Sequence, residues 1–260
     1  MFSFDIPAID RNCAAFYGLY NATGGNVRDM CERKIRHTSE VAKNCRLIAE
    51  KKGICGYDCD MAWVIGMLHD FARFGQAVRT HSFVDSVQFD HAKLGARLLF
   101  THHLVEDIVP GFDGMCDEDK AVMEKAVLHH SDFELPDDLS AREEMFCVIL
   151  RDADKLDIFR TVVESGPEKV YGCSMEELLR GDISPRIEAA FYGHRPALYS
   201  DRVTKADYLM AHIALYFGLK EESSRQRAAE QGYLARLMDV RFADPAVEKR
   251  YLAMRQHIKI

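Results

Sequence analysis

The chain has 260 residues, 48% of them hydrophobic and 29% charged, enough for a sizeable globular core, so wholesale disorder is excluded. With 34 Lys and Arg against 41 Asp and Glu the formal net charge is −7, which disfavours general binding to nucleic acid backbone but leaves small anionic ligands open. The most apolar stretches, Met61–Leu68 and Leu209–Leu219, fall short of the roughly 20 apolar residues of a membrane-spanning helix, and MFSFDIPAID lacks the basic start of a secretory signal.

The hydrophobic spacing is helical nearly throughout, and no β-branched run alternates. Val27–Lys52 is predicted as one helix with Ile35, Val41, Cys45 and Ile48 on a common stripe, stopped by Gly53. Met61–Phe74 reads as a second helix, apolar enough to be buried on all sides. A polar stretch follows over 76–89, where Arg79, His81 and Asp85 are placed at a pocket mouth. The next helix runs from about Asp90 to Val105, and Pro110, Gly111 and Gly114 mark a loop. Asp117–His130 is helical, SDFELPDD is a loop, and Ser140 with Glu143 forms a capping box that opens a long helix through Val163. Residues 175–258 read as further helices, the last started by Asp244 as N-cap and Pro245 at N1. No Gly/Pro/Ser-rich linker divides the chain, so one all-α domain over 1–260 is expected. Eight cysteines are scattered without zinc-ribbon spacing, which points to reduced thiols and a cytoplasmic location.

The informative feature is where histidines and aspartates fall. His37 lies on the inner stripe of the first long helix, His69 and Asp70 follow the run VIGML, and His91 opens the helix bearing Leu94 and Leu98. His129 and His130 end the helix of Val122 and Ala126, and Asp152 and Asp154 sit inside VILRDADKLDIF. Charged carboxylates go inside only when paired or bound to metal. Several such positions on separate helices favour a metal site of imidazole and carboxylate, suited to Fe, Mn, Zn or Co. His102 and His103 have no such setting and are expected at the surface.

These residues carry a resemblance. MLHDFARFGQ resembles the His-Asp signature of the HD superfamily of metal-dependent phosphohydrolases, FDHAKLGARLL its H-x-x-x-G-A helix, AVLHHSD its paired-His segment, and LRDADKLD its terminal Asp element. The resemblance covers roughly residues 27–165 and implies an HD helical bundle there, with residues 166–260 as a helical C-terminal extension. It implies a first ion held by His37, His69, Asp70 and Asp154, and a second ion bridged by Asp70 and bound by His91, His129 and His130. Members with three ions carry Glu four residues before the first His; Arg33 stands there, so no third ion is expected. The family places a cation at Arg73, one turn after Asp70, where a guanidinium can grip phosphate oxygens, and Lys155 beside Asp154 adds a second charge near the catalytic site.

The activity implied is hydrolysis of a small phosphorylated substrate, a nucleotide or another phosphomonoester or diester, by metal-activated water, with two divalent ions among Fe, Mn, Co, Ni and Zn. A di-iron oxygenase that uses O2 to cleave a C–C or C–P bond shares this ligand pattern, and a non-catalytic HD sensor module shares the fold. Neither membrane association nor strong nucleic acid binding is expected, and the oligomeric state is left open.

Overall fold

The computed structural model describes residues 2–20, 24–86 and 89–260, so positions 87 and 88, near the end of the polar stretch 76–89, lie outside the described residues. It is all-α. Among the described residues the only β-type pairing is an isolated bridge between Ser86 and Phe89. No helix of the described residues is long and apolar enough to cross a membrane. The chain divides into two compact units, Met1–Ala153 and Asp154–Ile260.

The first unit begins with α1 (Ile6–Gly18), capped by Asp5, and α2 (Gly25–Lys51), which ends before Gly53 at φ 78°. The sequence predicts one helix over Met61–Phe74, and here the structure differs. α3 (Tyr57–Leu68) stops, Asp70 adopts φ −99° and ψ 22°, and α4 (Phe71–Thr80) starts afresh. Adjacent residues on an unbroken helix point about 100° apart; the break lets His69 and Asp70 both face the interior. α4 also extends five residues into the predicted polar stretch, to Thr80.

The helix predicted over Asp90–Val105 is shorter. Asp90 caps α5 (His91–Ala96), which continues as a π-helical turn over Arg97–Thr101 and ends at His102. α6 (Val105–Ile108), α7 (Asp117–His129) and the opening of α8 (Ala141–Tyr171) follow, α8 with the expected Ser140–Glu143 capping box. α2 packs on α3 and α4, and α5 packs on α4 and α7. Their core includes Val41, Ile48, Ile65, Leu68, Phe74, Leu99, Met123 and Phe146. Tyr17 from α1 stacks on Phe74 at 4.2 Å and donates its hydroxyl to the Met67 carbonyl at 2.6 Å. Arg142 clamps Asp58 bidentately at 2.9 and 2.8 Å.

In the second unit, α8 departs from helical geometry at Gly166, φ 76°, just before Pro167. Then come α9 (Met175–Leu179), α10 (Pro185–Tyr192), α11 (Lys205–Ala214), α12 (Glu222–Gln231), α13 (Tyr233–Met238) and α14 (Pro245–Arg255). The last is capped by Asp244, as the sequence predicts. Leu178, Ile187, Phe191, Met210, Ile213, Leu234 and Tyr251 form the core of this unit. All eight cysteines are free thiols, six of them buried.

Candidate metal centre

The centre is built on a close crossing of two helices. A Cβ placed on Gly66 of α3 would come 2.5 Å from Ala42 Cα of α2, so only glycine permits this approach. His37 lies little more than a turn before Ala42 and His69 one turn after Gly66, and the crossing sets their rings 5.4 Å apart.

His69 turns back on its own helix, and its Nδ1 donates to the Gly66 carbonyl at 2.7 Å. His130, at the end of α7, does the same to Val127, also at 2.7 Å. Both carbonyls belong to the last turn of a helix, where acceptors lack a helical donor. A carbonyl can only accept, so Nδ1 carries a hydrogen, and in the neutral ring Nε2 then presents a lone pair. His91, the first residue of α5, donates from Nδ1 to the Asp85 carboxylate at 2.6 Å, which fixes the same tautomer.

The Nε2 atoms converge on one carboxylate. Asp70 Oδ2 faces His69 at 3.3 Å and His37 at 3.5 Å, while Oδ1 faces His91 at 3.5 Å and His130 at 3.9 Å. Each oxygen therefore faces a pair of imidazoles. The Nε2 atoms of His91 and His130 are only 2.9 Å apart. With both ring hydrogens on Nδ1, two lone pairs would oppose each other there unless a proton or a metal cation lies between. Donor atoms of His69, Asp70 and His130 all lie within 4.8 Å of one another. All five side chains are buried. This donor set of buried, oriented imidazoles about an ionised carboxylate fits a transition metal.

A family model described as HD domain matches residues 35–160. The chain belongs to the HD-domain superfamily. Metal binding accompanies that domain, and the buried His/Asp group is compatible with it. No curated protein and no solved structure matches the chain in the corresponding searches.

Around this His/Asp group of the HD domain, two cations balance Asp70. Lys34 Nζ lies 2.5 Å from Oδ2 and Arg73 Nε 3.5 Å from Oδ1. Burial pushes the Asp70 carboxyl up, but Lys34, with His69 and Arg73, outweighs it and holds the group well below the usual range. Asp70 is therefore a carboxylate. Asp85 behaves alike: burial is opposed by the hydrogen bond from His91 and by Arg73, and its pKa is lowered.

Arg73 is more constrained than the sequence implies. Its Nη1 donates to Gln76 Oε1 and the Phe83 carbonyl, both at 2.7 Å, and to Asp85 Oδ1 at 2.8 Å. The Phe83 ring is close to both cations, its centre 5.5 Å from Lys34 Nζ and 5.9 Å from the Arg73 guanidinium carbon. Arg73 thus ties the 82–85 loop to the centre and holds the carboxylate that orients His91.

His37, His69, Asp70, His91 and His130 come together as the sequence implies; His129 does not join them. It is one residue from His130, about 100° round the helix, and its Nδ1 engages Asp132 at 2.7 Å. Asp154 is the first residue of the second unit, directly after Ala153 on α8. Lys155 runs its methylenes past Gly218 in that unit, where an added Cβ would meet Lys155 Cε at 2.9 Å. Arg79, His81, His102 and His103 are exposed. Lys34 went unnoticed in the sequence, although its spacing of three from His37 places it on the same helix face.

Proposed function

We propose that the chain is a metal-dependent phosphohydrolase acting on a small phosphate ester, a nucleotide or another phosphomonoester or diester, at a dinuclear centre. The observation that carries this reading is the pairing of imidazoles on the two oxygens of Asp70: His69 and His37 on Oδ2, His91 and His130 on Oδ1. In this reading His37 and His69 would hold one ion and His91 and His130 the other, with Asp70 available to both. Asp154, the next residue of α8 after the first unit, completes the first set as the family resemblance implies.

Two divalent ions among Fe, Mn, Co, Ni and Zn would supply a nucleophilic water at neutral pH and neutralise phosphoryl charge. The chain's own groups do the rest. Asp70 stays ionised under the influence of Lys34, and the contacts of His69, His91 and His130 through Nδ1 keep each Nε2 aimed inward. Lys34, 19% exposed, is the cation with access to an incoming phosphate. Arg73 adds positive potential, but with Nη1 committed to Gln76, Phe83 and Asp85 it acts as a positioning residue.

The test pairs elemental analysis of protein purified without chelator with a panel of phosphate esters assayed without oxygen. Two ions per chain and phosphate release supported by Mn, Co or Ni are expected. Two Fe per chain with O2 uptake and no phosphate release would overturn the reading in favour of an oxygenase. Retention of no metal would point to a sensor module.

A further inference from the structure

The second unit carries a cation that its own residues do not neutralise. Arg202 follows a 3₁₀ turn at Tyr199–Asp201, and its guanidinium carbon lies 5.2 Å from the centre of the Tyr199 ring and 5.7 Å from that of Tyr208. The two rings are 6.4 Å apart and inclined at 85°, so they form two walls about the guanidinium. Beyond them Tyr171, 6.4 Å from Tyr208, shares a hydrogen bond of 3.0 Å between its hydroxyl and His212 Nδ1. Arg202 Nε is buried and has no hydrogen-bond partner. Among the described residues no carboxylate pairs with this guanidinium.

The nearby acids are engaged elsewhere. Asp201 accepts from the Leu198 amide at 3.2 Å and faces Arg186 at 3.7 Å. Asp207 accepts from the amides of Ser184, Val203 and Thr204 and from the Ser184 hydroxyl. His212 supplies no counter-charge, because burial first and Arg202 second depress its imidazole to about 3, leaving it neutral. A largely buried guanidinium without a counter-ion is costly to the fold. Its surroundings offer donors and ring faces: the guanidinium hydrogens and, since the phenols of Tyr199 and Tyr208 hydrogen-bond to each other, the one hydroxyl hydrogen that pair leaves over. What such a site lacks is an oxyanion.

We propose that Arg202, walled by Tyr199 and Tyr208, binds the phosphate group of a small phosphorylated ligand, at a site that shares no residue with the metal centre. A planar guanidinium matches two phosphate oxygens at once, which an ammonium cannot do. The rim indicates the remainder of the ligand. Tyr199 is 60% exposed, Val203 78% and Leu198 39%, an apolar border suited to an aromatic or otherwise apolar ester group beside the phosphate.

The experiment uses the full chain in EDTA, which empties the metal centre, and titrates phenyl phosphate and inorganic phosphate by calorimetry. Saturable binding at one site is expected, with phenyl phosphate the tighter of the two. Arg202→Gln should weaken it about 10- to 100-fold, the range for a charge-assisted hydrogen bond. In the unsubstituted protein, NMR signals of the Tyr199 and Tyr208 rings should shift saturably with phenyl phosphate while Tyr57 of the first unit stays fixed. Absence of saturable binding, or equal affinity in folded Arg202→Gln protein, overturns the proposal. Should that variant not fold, unmoved Tyr199 and Tyr208 signals overturn it alone.

Discussion

Gly66→Ala tests whether the close crossing of α2 and α3 builds the metal centre. The added methyl would meet Ala42 Cα at 2.5 Å and Ala42 N at 2.9 Å, both backbone atoms that cannot rotate away. Optimal carbon contacts lie at ~3.5–4.0 Å, so the helices must part by about 1 Å. Overpacking of this kind costs about 1–3 kcal/mol, and contact with backbone puts Gly66 at the upper end. Alanine returns about 1 kcal/mol of helix propensity, for a net loss of about 2 kcal/mol. Gly75 on α4 supplies the control: nothing lies within 4 Å of its added Cβ, so Gly75→Ala should gain up to about 1 kcal/mol. The single tryptophan, Trp63, is on α3, so its fluorescence in urea reports unfolding of the unit concerned. With m near ~2 kcal/mol/M the Gly66→Ala midpoint should fall by about 1 M, and parting His37 from His69 should lower metal content in parallel. A Gly66→Ala midpoint at or above that of Gly75→Ala, with undiminished metal, would refute the reasoning.

Asp85→Asn keeps the shape of the outer contact to His91 but removes its charge, and should weaken one ion about 10- to 100-fold in a chelator competition while sparing the other. Arg73→Ala should release the 82–85 loop and lower metal affinity along with turnover; loss of turnover at full metal content would instead make Arg73 a substrate contact. His212 sets a pH dependence in the second unit. Its folded pKa of about 3 lies below the ordinary histidine value of 6.5, so the unfolded chain binds the extra proton between them and stability falls as pH drops from 6.5 towards 3. The slope, read from denaturant midpoints, should not exceed about 1.4 kcal/mol per pH unit, and His212→Gln should remove it.

Much of this protein was legible locally. The caps at Ser140 and Asp244 and the stop at Gly53 depend on residues within one helical turn, so periodicity and capping chemistry suffice to find them. The five buried positions His37, His69, Asp70, His91 and His130 also stand out, because polar groups in apolar runs need a reason. Tertiary structure decided the remainder. Periodicity carries one apolar run through His69 and Asp70; the break between α3 and α4 answers to the pairs of imidazoles that Asp70 must face from α2, α5 and α7. His130 rather than His129 enters the centre because the rotation of α7 against α5 selects one of two adjacent rings. Asp85 and Phe83 lie in a loop with no period to read, so their contacts with Arg73 and His91 exist only once α4 and α5 have packed. The sequence determined which side chains could bind a metal, since that depends on chemistry and local spacing. Which of them meet at Asp70 was set by packing between residues far apart in the chain, which no local pattern encodes.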